Sequence, residues 1–169
     1  GCKQWHLGND KQNKYKQNFN KIVARLPAGA TVLLTIGEID CRLNEGILKH
    51  LDKHQNLALQ DVVETTIEDY LDYVSKVGYL QNLIVAGIPA TNIPVDLLTK
   101  VDAVRLVTLL KIFNEQLRQK VLSRGLEFLD VYALTNRGDG FAVGVHHIDR
   151  YHLLPSAIEE AFAIHCLRR

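Results

Sequence analysis

Two short, almost uninterrupted apolar runs constrain the fold of this chain most strongly. They occupy residues 31–36 (TVLLTI) and 83–86 (LIVA). Near-continuous apolar runs of this length are typical of strands that are covered on both faces, as in a parallel sheet. A third β-rich run lies at 126–131 (LEFLDV), and residues 141–145 are a further candidate for a short strand. The chain is therefore predicted to contain a buried parallel sheet.

Helical periodicity fills the segments between these runs. Apolar residues recur at steps of three and four positions within residues 15–26, 59–77, 106–121 and 155–166. Strands that alternate with helices through short connections favour right-handed crossovers, which place helices on both faces of the sheet. A chain of 169 residues is long enough for a real core. We predict one α/β domain over residues 1–169, with three layers in the order α/β/α.

The composition disfavours several functional classes. The formal net charge is +1 and no basic stripe stands out, so no nucleic-acid partner is expected. The three cysteines (Cys2, Cys41 and Cys166) are widely spaced and form no Cys-x-x-Cys pair, which disfavours a disulfide framework or a structural zinc site. A reducing, cytoplasmic compartment is the simplest expectation. No apolar run is long enough to span a membrane, and no signal peptide is visible.

Polar loops follow the predicted strands. Residues 37–42 (GEIDCR) come after the first strand, residues 87–92 (GIPATN) after the second, and residues 144–153 (GVHHIDRYHL) after the third. Ligands of open α/β sheets bind outside the carboxyl ends of the strands. Because those ends share one edge of a parallel sheet, we expect the three loops to surround a single site.

Asp149 and His152 carry the clearest chemical signal in these loops. They are three residues apart, just before the last predicted helix, and a turn of that length lets the carboxylate reach the imidazole. An Asp that accepts a hydrogen bond from one ring nitrogen fixes the tautomer and stabilises the imidazolium, while the other nitrogen can take a proton from a nucleophile. The alternative is that Asp149 is only a turn residue and that His152 packs nearby.

The order of these loops resembles the SGNH (GDSL-type) hydrolase family of esterases, lipases and acyl hydrolases. The family's last sequence block is Asp-x-x-His, often followed by Leu, before the final helix, and residues 149–153 (DRYHL) match it. Its Gly-x-Asn-Asp block is matched at the glycine and the acid by residues 37–40 (GEID). The run at 126–131 is similar to the family's penultimate strand, and Gly1 or Gly8 could stand at its second block.

This resemblance implies a flavodoxin-like parallel sheet and acyl transfer to a serine, without a cofactor. His152 would act as the general base and acid, and Asp149 would orient it. The loop after the first strand would line the oxyanion and substrate site through Gly37, Glu38, Asp40 and Arg42. The substrate would be a small-molecule ester such as an acylated sugar or lipid, and both hydrolysis and acyl transfer remain open.

Two features depart from the family pattern. Ile39 stands where the family has an Asn that donates to the oxyanion, so backbone N–H groups or Arg42 would have to replace it. The Gly-Asp-Ser block of the first strand is absent, and the serines of this chain (Ser75, Ser123 and Ser156) fall in or beside predicted helices. We expect the sequence to begin after that strand, with the nucleophile upstream of Gly1. The alternative is a natural relative that has lost its nucleophile.

Two other functions fit the same residues. A non-catalytic binding or scaffold domain derived from such a hydrolase would account for the absent serine. A metal-dependent esterase or phosphatase would activate water with donors of the last loop together with Glu38, Asp40 or Cys41. The candidate donors of that loop are His146, His147, Asp149 and His152. Their spacing is not a recognised ligand pattern, so no metal site is assigned. Cys41 could also be a thiol nucleophile, although cysteine is more commonly a small buried hydrophobic residue.

Overall fold

Parallel pairing of three short strands organises the chain. The computed structural model describes residues 1–167. Its strands are β1 (Thr31–Leu34), β2 (Asn82–Ala86) and β3 (Glu127–Leu129), and β2 lies in the middle of the sheet. Both pairs of neighbours are parallel. Within residues 1–167, the outer edge of β1 pairs with no further strand.

Seven α-helices connect and cover these strands within the described residues. They are α1 (Gln4–Gly8), α2 (Lys14–Val23), α3 (Gly46–Lys53), α4 (Leu59–Val77), α5 (Lys100–Ser123), α6 (Val131–Thr135) and α7 (Pro155–Leu167). Short 3₁₀ helices occupy Glu38–Cys41 and Val95–Leu97. Parallel neighbours in a sheet need a long crossover connection, which α3 and α4 supply between β1 and β2, and α5 supplies between β2 and β3. None of the helices in this part of the chain is both long and apolar enough to cross a membrane.

The sheet is buried on both faces, as its continuous apolar runs predict. Leu83 and Val85 of β2 belong to a core cluster that includes the buried faces of α4 and α5. Ile84 and Ala86 alternate with them and belong to a second cluster, which includes Ala161 of α7. This alternation places helices on opposite faces of one sheet. The predicted three-layer α/β/α fold with a parallel sheet is therefore confirmed.

The strand predicted at 126–131 is shorter than expected. It ends at Leu129, and Val131 begins helix α6. The cause is Asp130, whose side chain accepts a hydrogen bond from the backbone N–H of Ala133 at 3.0 Å. An Asp in this position caps a helix by satisfying one of its free N–H groups, which turns the chain out of the sheet immediately after β3.

The prediction of a strand at 141–145 is wrong. Phe141 and Ala142 form only isolated bridges, to Thr91 and Asn136 respectively. The glycines at positions 138, 140 and 144 all have positive φ angles, which interrupt extended backbone on both sides of these bridges. The segment after α6 is therefore an irregular loop that leads into the turn at Asp149.

A buried asparagine on α5 fixes the backbone that follows β2. Oδ1 of Asn114 accepts a hydrogen bond from the N–H of Ile88 at 2.7 Å. Its Nδ2 donates to the carbonyl of Ile88 at 3.0 Å and to that of Leu110 at 2.9 Å. Ile88 is buried, so both of its backbone groups would lack a partner without this amide. Asn114 thus anchors the loop at the carboxyl end of β2.

Replacing this amide is expected to weaken the fold measurably. Asn114→Leu should lower the free energy of unfolding by about 2–4 kcal/mol, because it leaves two buried backbone groups without partners. Chemical denaturation measures the loss. Gln119→Leu is the matched control, since it makes the same amide-to-aliphatic change at an exposed position of α5 and should cost less than about 0.5 kcal/mol. Equal losses in the two variants would contradict an anchoring role for Asn114.

Candidate functional site

A cavity of about 380 Å³ opens at the carboxyl edge of the sheet. Residues that follow β1, β2 and β3 line it, together with the loop before α7 and one residue of α7 itself. The residues that line it include Gly37, Glu38, Ile39, Arg42, Tyr151 and His152. The structure thus brings the loops after all three strands around one concave site, with His152 on its wall.

Asp149 both closes the turn before α7 and contacts the imidazole of His152. Its Oδ2 lies 2.7 Å from Nδ1 of His152. Its Oδ1 accepts hydrogen bonds from the backbone N–H groups of Tyr151 at 2.7 Å and His152 at 2.8 Å. These donors, with the imidazole as the largest contributor, hold the pKa of Asp149 well below its usual range. The carboxylate is therefore ionised at neutral pH.

This contact determines which ring nitrogen of His152 carries the proton. An ionised carboxylate can only accept hydrogen bonds, so the hydrogen lies on Nδ1. Nε2 is then the nitrogen with a free lone pair. The side chain of His152 is 65% exposed and lines the cavity, so Nε2 is accessible to a bound molecule. An oriented imidazole of this kind is what general base catalysis requires.

The turn is tied to its surroundings by further hydrogen bonds. The N–H of Ile148 donates to the carbonyl of His152 at 2.8 Å. Nδ2 of Asn92 donates to the carbonyl of Asp149 at 3.0 Å and joins the turn to the loop after β2. Asn92 is a supporting residue that the sequence patterns do not single out, although it lies in one of the three polar loops that follow the strands.

Gly37 allows the chain to leave β1 in a tight bend. Its φ angle is +135°, and a Cβ there would lie 2.7 Å from Cδ1 of Ile88 and 2.8 Å from Nε2 of Gln4. Any other residue would be strained and crowded at this position. The bend carries Glu38 and Ile39 to the wall of the cavity. Because Ile39 has an aliphatic side chain, an oxyanion donor from this part of the loop has to be a backbone N–H.

Arg42 lines the cavity, but its polar atoms already have partners. Nε and Nη2 donate to the carboxylate of Glu38 at 2.7–3.0 Å, and Nη1 donates to Glu45 at 3.2 Å. Its guanidinium carbon lies 4.3 Å from the centre of the Tyr151 ring. The hydrogen bonds that Arg42 donates to Glu38 raise the pKa of Arg42. Arg42 would have to give up these contacts to act as the oxyanion donor considered from the sequence.

Asp40 faces away from this cavity. Its Oδ2 accepts a hydrogen bond from the N–H of Gln4 at 2.6 Å, and its Oδ1 accepts one from the N–H of Trp5 at 3.5 Å, at the start of α1. Asp40 lines a separate cavity of about 370 Å³ between α1, α3 and α4. Burial raises the pKa of its carboxyl group to about 6. This placement gives Asp40 a structural contact with α1 and does not fit the role in the substrate loop expected from the sequence.

Neither cysteine near the cavity in the described chain is an activated nucleophile. Cys2 lines it, but burial raises the pKa of the thiol to about 11, and the thiol donates to the carbonyl of Lys3 at 3.4 Å. Cys41 is buried, and burial also raises its pKa. Since the thiolate is the reactive form, both cysteines are unreactive at neutral pH. Within the described residues, the three serines (Ser75, Ser123 and Ser156) do not line the cavity.

The donor set of the metal-dependent alternative is not assembled. Within residues 1–167, no three His, Cys, Asp or Glu side chains come together in a group that could hold a metal ion. Nδ1 of His146 lies 3.8 Å from Glu160 on α7, and Asp149 already accepts a hydrogen bond from His152. Burial lowers the pKa of His147. The adjacent histidines and Asp149 therefore do not share one centre.

Comparisons with known proteins identify the fold. No protein-family model matches the sequence, and a search of curated proteins finds no match. A member of the lipolytic protein G-D-S-L family from Veillonella parvula DSM 2008 superposes with a TM-score of 0.53 at 13% identity, over 99% of this chain and 74% of that one. Phospholipase A1 from Streptomyces albidoflavus NA297 superposes with a TM-score of 0.55 at 18% identity, over 90% of this chain and 75% of that one.

The chain has an SGNH hydrolase-like fold. At such low sequence identity the similarity establishes the fold alone, so the chemistry has to be derived from the site. The SGNH hydrolase-like fold accounts for a cavity outside the carboxyl ends of the strands. Asp149 and His152 are the groups in the described chain that give this cavity an oriented acid–base pair.

The buried carboxyl of Asp40 predicts a pH-dependent stability. Its pKa is raised from 3.8 to about 6, so the folded state favours the protonated form. The free energy of unfolding is therefore highest below the ordinary pKa of 3.8. It falls by up to about 3 kcal/mol as the pH rises through 6. Urea titrations between pH 4 and 7 should show this slope for the parent chain relative to Asp40→Asn, which cannot ionise. If the free energy of unfolding changes with pH by the same amount in both proteins, the raised pKa of Asp40 is contradicted.

Proposed function

We propose that this chain is the acid–base portion of an SGNH-like esterase or acyl hydrolase. The observation that carries the proposal is the contact between Oδ2 of Asp149 and Nδ1 of His152, at 2.7 Å, on the wall of a cavity at the carboxyl edge of the sheet. The fold shared with a lipolytic G-D-S-L protein and with a phospholipase A1 supports it, because open α/β sheets bind their ligands at this edge. In this proposal residues 1–169 form one domain, which supplies the acid–base pair.

The nucleophile in this proposal is a serine outside residues 1–169. None of the three serines of this chain lines the cavity within the described residues, and both cysteines near the site are protonated thiols. The outer edge of β1 pairs with no strand of the described chain, so we infer that a further parallel strand pairs there. A serine at the carboxyl end of that strand would lie at the same edge of the sheet as His152.

The reaction follows from the orientation of the imidazole. Nε2 of His152 takes the proton of the serine hydroxyl as its oxygen bonds to the ester carbonyl carbon, and Asp149 stabilises the imidazolium. The alcohol leaves with the proton from Nε2, and an acyl-serine remains. Water then loses a proton to Nε2 and attacks the acyl carbon, and the serine regains the proton when the acid departs. An acceptor alcohol in place of water would make the same site an acyltransferase.

The remaining loop residues would bind the ester and its developing oxyanion. Backbone N–H groups of the loop that contains Gly37 and Glu38 supply the donors, since Ile39 has none in its side chain. Ile88, Leu153 and Ile158 contribute apolar wall to the cavity of about 380 Å³, which suits a small acyl group. A small-molecule ester, such as an acylated sugar or lipid, is the substrate class that fits. The three cysteines are free, which suits the expected cytoplasmic location.

Removal of the imidazole should abolish most of the ester hydrolysis. In the natural full-length protein, His152→Gln is expected to lower kcat for an aryl acetate by about 10²- to 10⁴-fold, because the general base is lost. Asp149→Asn should also lower kcat, because the amide no longer fixes the Nδ1–H tautomer. Steady-state kinetics measure both effects. His54→Gln, at an exposed position of the chain, is the control. Unchanged turnover in His152→Gln would remove this residue from the mechanism.

Ile39 and the positions of the serines also favour a second candidate, a non-catalytic binding domain derived from the same fold. An aliphatic side chain at Ile39 and the lack of a serine on the cavity wall suit ligand binding without turnover. The two candidates differ in a simple measurement on the natural full-length protein. A binding domain would bind an ester analogue in titration calorimetry and leave aryl esters intact over hours, whereas the proposed esterase turns them over.

A further inference from the structure

The turn that carries Asp149 and His152 lies at the surface and needs external support. The side chains of these two residues are 50% and 65% exposed. Burial alone therefore cannot fix the direction of the imidazole. Asn92 supports the turn through the carbonyl of Asp149 at 3.0 Å. Tyr151, in the middle of the same turn, provides a second support because it packs against the main core cluster.

Two carboxylates hold the guanidinium of Arg42 in a fixed plane. Nε lies 2.9 Å and Nη2 lies 2.7 Å from different oxygens of Glu38, which is a two-point contact. Nη1 donates to Glu45 at 3.2 Å from the other side. The side chain of Arg42 is only 20% exposed. Its edges are therefore occupied, and its flat face is the part that remains for a neighbour.

Tyr151 covers that face. The guanidinium carbon lies 4.3 Å from the centre of the Tyr151 ring, within the range of a favourable cation–π contact. The backbone N–H of Tyr151 donates to Oδ1 of Asp149 at 2.7 Å, and the next N–H, of His152, donates to the same oxygen at 2.8 Å. A shift of the Tyr151 ring would thus move the carboxylate that orients the imidazole.

We propose that Arg42 is a positioning residue, which acts through the ring of Tyr151 to hold Asp149 and His152 in the orientation needed for proton transfer. Glu38 is part of the same device, because it fixes the plane of the guanidinium. The role rests on the proposed function for its catalytic consequence, but its effect on the ring of His152 is independent of turnover. In this role Arg42 binds no anionic substrate.

The tautomer of His152 gives a test that needs no enzymatic activity. Nitrogen-15 NMR of the ring in the natural full-length protein should show the proton on Nδ1 in the parent sequence. Arg42→Gln and Tyr151→Leu should each give a mixture with the Nε2–H tautomer, and the double variant should resemble either single one. Tyr151→Phe keeps the ring and should recover the Nδ1–H form. An Nδ1–H tautomer that persists in both Arg42→Gln and Tyr151→Leu would overturn the proposal.

Kinetics of the natural full-length protein test the catalytic consequence. Arg42→Gln and Tyr151→Leu should lower kcat for a neutral aryl ester by about 10- to 100-fold with KM nearly constant, since small misplacements of a reacting group cost that much. Tyr151→Phe should recover most of the loss. Arg137→Gln is the matched control, because Arg137 also pairs with a carboxylate and lies 5.6 Å from an aromatic ring, of Phe141. A higher KM with constant kcat would instead make Arg42 a substrate-binding residue and refute positioning.

The two measurements separate failure of the proposal from failure of the proposed function. If no variant and no parent protein hydrolyses esters, but the tautomer changes as expected, Arg42 still positions His152 and the esterase assignment alone fails. Should Arg42→Gln not fold, as judged by circular dichroism, Arg42→Lys carries the test, because it keeps a positive charge near Glu38 but removes the planar guanidinium that packs on Tyr151. An unchanged Nδ1–H tautomer in Arg42→Lys would then reject the role.

Discussion

The parallel pairing of β1, β2 and β3 is the constraint on which the rest of the structure depends. It makes every strand end at the same edge, and it requires each connection to pass over a face of the sheet as a helix. Loops that are distant in sequence consequently meet at one cavity, and Gly37 and His152 both line it although they are far apart in the sequence. The topology of the sheet sets the position of such a site, and the side chains around it then set its chemistry.

Much of this architecture could be predicted from the sequence because the signals are repetitive. The apolar run at 83–86 and the helical stripe at 59–77 each show their period over enough residues to be recognised. Helix α1 has five residues, too few for a period, and its start is held by a contact with the distant Asp40. The prediction of a fourth strand was wrong because positive φ angles at glycines interrupt the backbone around residues 141–145. A hydrophobicity pattern does not encode these angles.

Part of the candidate site can likewise be predicted from residues close in sequence, whereas other parts depend on contacts between distant residues. The contact between Asp149 and His152 is local, since both belong to one turn, and spacing alone suggested it. Asp40 lies in the loop directly after β1, yet it is buried against α1 and its pKa is raised to about 6, whereas the pKa of Asp149 is lowered by three donors. Only the tertiary structure distinguishes these carboxylates. The same holds for Arg42, whose partners decide that it faces Tyr151 rather than solvent.

In the proposed mechanism, the oriented imidazole of His152 activates a serine outside residues 1–169. Reaction of the natural full-length protein with a fluorophosphonate, followed by peptide mass spectrometry, tests it most directly. We expect one phosphonylated serine outside this segment, and labelling that slows by at least about 100-fold in His152→Gln. An adduct on Ser75, Ser123 or Ser156, or labelling that does not depend on His152, would contradict it.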